Sequence, residues 1–290
     1  MIRSAIMPKN SVANVLLFWD YDTQWGGDRS RAGKGPQDWS HEFENTERLL
    51  AMQVEYDMPS CIAVVGSAAL PGNRPYHDPT QIRQMHELGN EVASHTHRHE
   101  WLPGLNREEL VESLRSSKDA LEQCIGHKVT CLVPPYNQPF DYPAGWSISM
   151  SERREAGKQR TGLKMLCETM HKIGYEFCRT AYRPLSHRLA DRLRGRKIYH
   201  PSDLEEIAGI LCLKTNACGF DKNSLEVLDC CVKTGKTLVI YGHPHSLSDP
   251  KNVQRFELFE NFLKVIRDLR KAGTVRCVLP RDLLAEQAVR

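Results

Sequence analysis

Residues 15–22 read Val15-Leu16-Leu17-Phe18-Trp19-Asp20-Tyr21-Asp22, an apolar run that ends in two acidic residues. An unbroken apolar run of this kind is typical of a buried strand. Side chains alternate between the two faces of a strand, so Asp20 and Asp22 should point the same way at its carboxyl end. The stretch therefore predicts a buried strand that delivers two carboxylates to one pocket.

Comparable apolar, β-branched runs alternate with amphipathic stretches along the rest of the chain. The predicted strands are residues 14–19, 60–65, 91–94, 129–133, 177–180, 209–213, 237–241 and 275–279. The predicted helices are residues 41–55, 78–89, 106–125, 161–173, 222–234 and 252–272. This alternation is typical of parallel β/α units. We predict an α/β fold, a (β/α) barrel with about seven parallel strands, and an open doubly wound sheet is the alternative.

Several helix boundaries are marked in the sequence. Asn106 with Glu109 three residues later is typical of a capping box, and Asp78 followed by Pro79 is typical of a helix start. Glycines that can end a helix follow five of the predicted helices, at Gly89, Gly126, Gly174, Gly235 and Gly273. Residues 23–40 and 137–160 break the alternation, so we expect long loops there, the first of them over the site.

Length and composition limit the classes of protein to consider. The chain has 290 residues and is 40% hydrophobic, which favours a single domain over residues 1–290 with its core at about 14–285. The net charge of +3 gives no argument for a nucleic-acid partner. No window approaches the roughly 20 apolar residues of a membrane span, and the amino terminus lacks an apolar leader, so we expect a cytoplasmic protein. A homo-oligomer is left open.

The basic run from the fifth predicted strand onward and the cysteines do not by themselves indicate a functional site. Seven basic residues lie between Arg179 and Lys197; they could attract an anionic group, and a solvated basic surface is the plainer alternative. The ten cysteines contain no Cys-x-x-Cys pair, so in a cytosolic chain we expect reduced, mostly buried side chains.

A second polar segment, His95-Thr96-His97-Arg98-His99, follows the third predicted strand. Taken alone, a His-x-x-x-His spacing arises often by chance, and an acidic residue after a strand is often only a helix cap. Together with the Asp20–Asp22 pair, however, His95 and His99 are spaced to fold back on one ion, and His97 between them should point away. One aspartate with two histidines leaves coordination positions open, as a hydrolytic metal requires.

These two segments resemble the first two motifs of the polysaccharide deacetylase family, carbohydrate esterases built on a distorted (β/α) barrel. Asp20-Tyr21-Asp22 is similar to the family's aspartate pair, with one intervening residue as in a subgroup. The run from Gly89 to His99 is similar to the family's Gly-x-Glu-Ile-x-x-His-x-x-x-His stretch almost residue for residue. The resemblance covers most of the chain.

Two later segments resemble further family motifs. Leu132-Val133-Pro134-Pro135-Tyr136-Asn137 is similar to Arg-Pro-Pro-Tyr-Gly, with Val133 where the family has the arginine that orients the base. Another residue, such as one of the basic run, would have to replace that arginine. Leu238-Val239-Ile240-Tyr241-Gly242-His243-Pro244-His245 is similar to the strand that leads to the catalytic histidine. We favour His243 for that role and keep His245 as a supporting residue or substitute acid. The family's Asp and Trp segment, which would hold the catalytic histidine, cannot be placed; Trp146 lies too early and Asp191 is in the basic run.

The resemblance implies a metal-dependent hydrolase that removes an acetyl group from an N-acetylated or O-acetylated sugar or glycan intermediate. It implies that Asp22, His95 and His99 bind a divalent metal, for which we expect Zn2+ with Co2+ or Ni2+ as alternatives. It also implies that Asp20 is the general base, that the Tyr136 backbone N–H binds the oxyanion, and that His243 protonates the leaving group.

Two alternatives are kept. Some relatives of the family hydrolyse non-peptide C–N bonds in small cyclic amides, and Val133 and the His243-Pro244-His245 sequence both depart from the sugar-active pattern. A third interpretation is a sugar-binding relative without turnover, with the altered motifs having weakened the site.

Overall fold

Ten strands form one curled sheet in the part of the chain that the computed structural model describes, residues 12–29, 37–137, 159–180, 193 and 203–289. The strands are β1 Ala13–Tyr21, β2 Cys61–Val64, β3 Glu91–Ser94, β4 Cys131–Leu132, β5 Phe177–Thr180, β6 Leu204–Ile207, β7 Ile210–Lys214, β8 Ala217–Cys218, β9 Thr237–Gly242 and β10 Val275–Cys277. Most of the predicted loop at 137–160 and most of the basic run after Arg179 lie outside the described residues.

Eight α-helices accompany these strands among the described residues. They are α1 Thr23–Asp28, α2 Glu42–Glu55, α3 Pro79–Glu87, α4 Arg107–Ile125, α5 Leu163–Ile173, α6 Lys222–Thr234, α7 Phe256–Lys271 and α8 Pro280–Ala288. All six predicted helices are present, and α1 occupies the start of the predicted loop at 23–40. The predicted starts are confirmed, because Asn106 accepts hydrogen bonds from the first-turn amides of α4 and Asp78 does the same for α3.

The sheet has the strand order β6-β7-β5-β4-β3-β2-β1-β9-β8, with β10 beside the start of β1. Every strand pair is parallel except β6 with β7. The predicted α/β class with a distorted barrel is confirmed. The strand count differs from about seven, because β6 adds an antiparallel edge, β10 adds a short pair at β1, and one position of the barrel is divided between β7 and β8.

That divided position is where the sheet curls back on itself. The Thr215 amide donates to Thr180 O of β5 at 2.8 Å, and the next amide, Asn216, donates to Val239 O of β9 at 3.0 Å. The Asn216 side chain adds bonds to Thr237 O and Val239 N, both 2.9 Å long. Two consecutive residues therefore bond to β5 and to β9, and these bonds bring the two sides of the curled sheet together.

The apolar side chains divide into two cores because strand side chains alternate. Leu16 and Phe18 point into the lumen of the barrel, whereas Leu17 and Trp19 pack outward in the layer that also holds the helices. Asp20 continues the inward series of Leu16 and Phe18, and it emerges at the carboxyl end of β1. No helix among the described residues is long and apolar enough to cross a membrane.

Candidate metal centre

Asp22, His95 and His99 converge at the carboxyl ends of β1 and β3. Asp22 Oδ1 lies 3.2 Å from His95 Nε2 and 3.4 Å from His99 Nε2, and all three side chains are buried. His95 directly follows β3, and the backbone then turns sharply because Thr96 and His99 have φ values of 64° and 56°. This turn brings His99 back beside His95.

The hydrogen bonds of the two imidazoles define which nitrogen faces Asp22. His95 Nδ1 lies 2.7 Å from Val133 O, and a carbonyl can only accept, so Nδ1 carries the proton. The Tyr136 hydroxyl donates to Arg29 O at 2.8 Å and lies 3.1 Å from His99 Nδ1, which assigns the proton there as well. Both Nε2 atoms consequently present lone pairs to the Asp22 carboxylate.

Three acceptors that face one another fit a divalent cation. Asp22 Oδ1 is buried and has no hydrogen-bond partner, and burying such an oxygen without compensation is costly. The separations of 3.2 and 3.4 Å between ligand atoms match the roughly 3.3–3.5 Å edges of a tetrahedron with metal–ligand bonds of about 2.0–2.2 Å. Burial raises the Asp22 pKa, whereas a positive charge close to its carboxylate, as on protonated His99 or His95, lowers that pKa well below its usual range. His97 lies outside the group, with its amide directed at Ser113.

Asp20 forms a buried bidentate ion pair with Arg179 of β5. The two guanidinium nitrogens lie 2.7 and 2.6 Å from the two carboxylate oxygens. Burial raises the pKa of Asp20, but the charges of Arg179, His95 and His243 hold it below the usual value. Arg179 therefore occupies the place of the arginine missing at Val133. It is the first residue of the basic run in which the replacement was expected.

His243 lies at the edge of the same pocket, directly after β9. Its Nε2 is 3.8 Å from Asp20 Oδ2, and its ring is partly exposed. Gln254 Oε1 accepts the backbone N–H of His243, and both Oε1 and Nε2 of Gln254 lie 3.3 Å from His243 Nδ1. Burial lowers the pKa of His243. Gln254 supplies the ring contact that the unplaced Asp and Trp segment was expected to supply, and its only sequence signal is its position in the turn before α7.

Tyr136 has an additional contact that the sequence does not reveal. Its φ of 59° is in the left-handed region, directly after Pro134-Pro135. That geometry turns the phenol ring toward His99, with ring centroids 4.6 Å apart. The hydroxyl thus orients a candidate ligand, while the role expected from the resemblance belongs to the backbone N–H.

Glu42 is a buried member of the site that the sequence alone does not single out. It begins α2, and its carboxylate accepts the backbone N–H groups of Asp22 and Thr23. Glu42 Oε1 also lies 3.5 Å from His245 Nδ1. His245 thus faces Glu42, whereas His243 faces Asp20. In sequence, a glutamate in the first turn of a helix looks like an ordinary surface residue of that turn.

A second group of potential ligands, Cys61, Glu91 and Cys131, lies where β2, β3 and β4 begin, at the opposite end of the strands. Glu91 Oε2 accepts the Arg281 backbone N–H at the start of α8, at 2.9 Å. Burial raises the pKa values of both thiols, which favours neutral S–H groups. We assign this cluster to the barrel core.

Residues 34–144 match a family model described as polysaccharide deacetylase. The resemblance to that family is thereby confirmed. The polysaccharide deacetylase match includes His95, His99 and Tyr136, whereas Asp20, Asp22 and His243 lie outside it. A search of curated proteins finds no match.

Solved structures with the same fold include two proteins described as polysaccharide deacetylases and an allantoinase. A putative polysaccharide deacetylase from Mycobacterium smegmatis has a TM-score of 0.63 at 16% identity, covering 98% of this chain and 92% of that one. A probable polysaccharide deacetylase from Pseudomonas aeruginosa PAO1 has a TM-score of 0.58 at 15% identity, covering 93% and 88%. Puue allantoinase has a TM-score of 0.60 at 14% identity, covering 95% and 90%. At these sequence identities the structural similarity shows a shared fold and nothing further.

Proposed function

We propose that this protein is a metal-dependent deacetylase that hydrolyses the acetyl group of an N-acetylated or O-acetylated sugar or glycan intermediate. The observation that carries the proposal is the arrangement around Asp20. Its carboxylate is held by Arg179 and lies 3.8 Å from His243, and Asp20 lies at the carboxyl end of β1, the strand that candidate ligand Asp22 follows. A base, a proton donor and a cation site therefore line one pocket.

Asp22, His95 and His99 would hold the metal, for which Zn2+ is expected and Co2+ or Ni2+ are alternatives. When bound, a divalent ion polarises the acetyl oxygen and lowers the pKa of water. Arg179 keeps Asp20 ionised and fixes the orientation of both carboxylate oxygens, so Asp20 is prepared to accept the proton of the attacking water. The Tyr136 backbone N–H would donate to the oxygen that gains negative charge.

The proton accepted by Asp20 has a short route to the leaving group. His243 Nε2 is 3.8 Å from Asp20 Oδ2 and lies at the edge of the pocket. Because Nε2 is the ring nitrogen that faces Asp20, it is the one that can exchange a proton with Asp20 and pass it to the departing amine or alcohol. The products are acetate and the free amine or hydroxyl group of the sugar.

The experiment that tests this proposal combines elemental analysis with acetate release from a panel of acetylated sugars. Wild type and Asp20→Asn should each retain about one ion per chain, and His95→Ala should retain much less. Only wild type should release acetate, because Asp20→Asn keeps the ligands and removes the base. We expect Asp20→Asn to lower the rate by about 100-fold or more.

The other outcomes of the same experiment decide between the alternatives. Allantoin is included in the panel because a solved structure with this fold carries the name allantoinase. Full metal content with ring opening of a cyclic amide, and without acetate release, would replace the proposal by C–N hydrolysis of such amides. Full metal content with neither product would favour a sugar-binding relative. Absence of metal from wild type, even after reloading, would overturn the proposal.

A further inference from the structure

The buried carboxylate of Glu42 holds the backbone on which candidate ligand Asp22 lies. Glu42 is 0% exposed, and its two oxygens accept consecutive amides, with Asp22 N at 3.3 Å from Oε1 and Thr23 N bonded to Oε2. Two acceptor oxygens on one buried side chain that bind consecutive backbone N–H groups fix the path of the chain at that point. Glu42 thereby acts on the ligand through the main chain.

The turn that Glu42 holds is a strained one. Thr23 has a φ of 52°, and a β-branched residue rarely adopts this left-handed conformation. The turn is also tightly packed, because a Cβ added at Gly26 would lie 2.6 Å from Asp22 Cβ. A strained turn persists only where its surroundings stabilise it, and the two bonds to Glu42 are stabilising contacts of this kind.

On its other side, Glu42 contacts the loop after β9. His245 Nδ1 is 3.5 Å from Glu42 Oε1, and the His245 ring is stacked on Trp39 with centroids 3.9 Å apart. His41 Nε2 lies 2.7 Å from His245 O, and Asn45 Nδ2 donates to Pro244 O at 2.9 Å. The first turn of α2 and the residues before it therefore fasten the segment that begins with His243.

We propose that Glu42 is a positioning residue that aligns the Asp22 ligand turn with the loop carrying His243. Glu42 contacts the backbone of the cation ligand on one side and, through His245, the loop that carries the proton donor on the other. The kinetic part of this proposal rests on the proposed function, but the part that concerns metal binding does not.

The test compares Glu42→Gln with Glu91→Gln. Glu91→Gln is the matched control, because Glu91 is also a buried glutamate at the start of an element but lies away from the site. The dissociation constant for Co2+ is measured on the apoproteins by competition with a chromophoric chelator, without any sugar present. A glutamine offers one acceptor oxygen and an NH2 group, so it cannot accept both amides. We expect Glu42→Gln to weaken Co2+ binding by about 10- to 100-fold and Glu91→Gln to change it less than about twofold.

Two further measurements separate positioning from general damage. Thermal unfolding of the apoprotein should show that Glu42→Gln folds. His245→Asn leaves the hydrogen bonds from Asp22 N and Thr23 N to Glu42 in place, so it should lower kcat for acetate release while the dissociation constant for Co2+ stays within about twofold of wild type. Wild-type Co2+ affinity in folded Glu42→Gln would overturn the proposal. If wild type bound Co2+ but released no acetate, the proposed function would fail, whereas weakened binding in Glu42→Gln would still support the positioning role.

Discussion

Arg179 shows how one side chain can restore a motif that appears incomplete. Its guanidinium lies over the rings of Phe18 and Tyr241, 5.2 and 4.6 Å from their centroids, and only 3% of the residue is exposed. In such surroundings a charge is tolerated only when it is paired. The Asp20–Arg179 pair is therefore a structural unit of the lumen as well as part of the site.

Replacement of Arg179 by leucine should damage stability and turnover together. The variant leaves the Asp20 charge buried and unpaired, so we expect the free energy of unfolding to fall by about 3–5 kcal/mol. Acetate release should fall with it, since the base loses its orientation. Urea denaturation and acetate assays at constant metal concentration measure the two effects.

The double variant Asp20→Asn/Arg179→Leu is the control for that prediction. It removes both charges, so its loss of stability should be clearly smaller than the sum of the two single losses. Additive losses would show that the two side chains act independently, which would contradict the pairing.

At the scale of elements, the sequence best predicts helix and strand boundaries that depend on contacts between residues close together in the chain. The starts of α3 and α4 depend on Asp78 and Asn106, whose side chains bond to amides two or three residues away. Helix α1 was missed because its six residues include two glycines, which have poor helix propensity. Strand β8 was missed because its two residues are defined by pairing with β9, which no local pattern encodes.

Asn216 gives an element-scale prediction, because its side-chain amide bonds to Thr237 O and Val239 N of β9 where the sheet edges meet. In Asn216→Ala, Thr237 O and Val239 N lose their side-chain partner. We expect the free energy of unfolding to fall by about 2–4 kcal/mol, since two bonds to a buried amide are lost. Urea denaturation measures the change.

Asn223→Ala is the matched control for Asn216→Ala. The exposed Asn223 side chain bonds to nearby Asp221, so its removal should change stability by less than about 0.5 kcal/mol. Equal effects of the two substitutions would argue against a special role for Asn216.

At the scale of the whole molecule, parallel topology explains why much of the candidate site could be anticipated. Asp22 follows β1 and His95 follows β3, and the carboxyl ends of parallel strands share one rim. Glu42 and Gln254 could not be anticipated in the same way. They lie at helix starts, and their contacts with Asp22 and His243 depend on how α2 and α7 pack on the sheet, which no periodicity in the sequence specifies.

Glu91, at the opposite rim of the barrel, makes the free energy of unfolding depend on pH. Burial raises its pKa to about 7 from an ordinary 4.5, so between these values the folded protein keeps a proton that the unfolded chain has released. The unfolded state then binds fewer protons, and the free energy of unfolding should fall as pH rises from about 4.5 to 7. The Glu91 contribution to this fall is up to about 3 kcal/mol.

Glu91→Gln tests this contribution, because glutamine can still accept the Arg281 N–H and does not titrate. Urea denaturation at pH 5, 6, 7 and 8 should show a shallower fall of stability with pH in Glu91→Gln than in wild type. Parallel curves for the two proteins would mean that Glu91 ionises in the folded state near its ordinary pKa.

The bond between Arg179 and Asp20 has a consequence for how such proteins are found. The guanidinium reaches its carboxylate from β5, whereas the Arg-Pro-Pro-Tyr-Gly motif that residues 133–137 resemble has its arginine at the position of Val133, in the loop after β4. A search pattern that requires arginine before Pro134-Pro135 would reject this chain. A pattern that accepts an inward-facing arginine on either of these neighbouring strands would retain it.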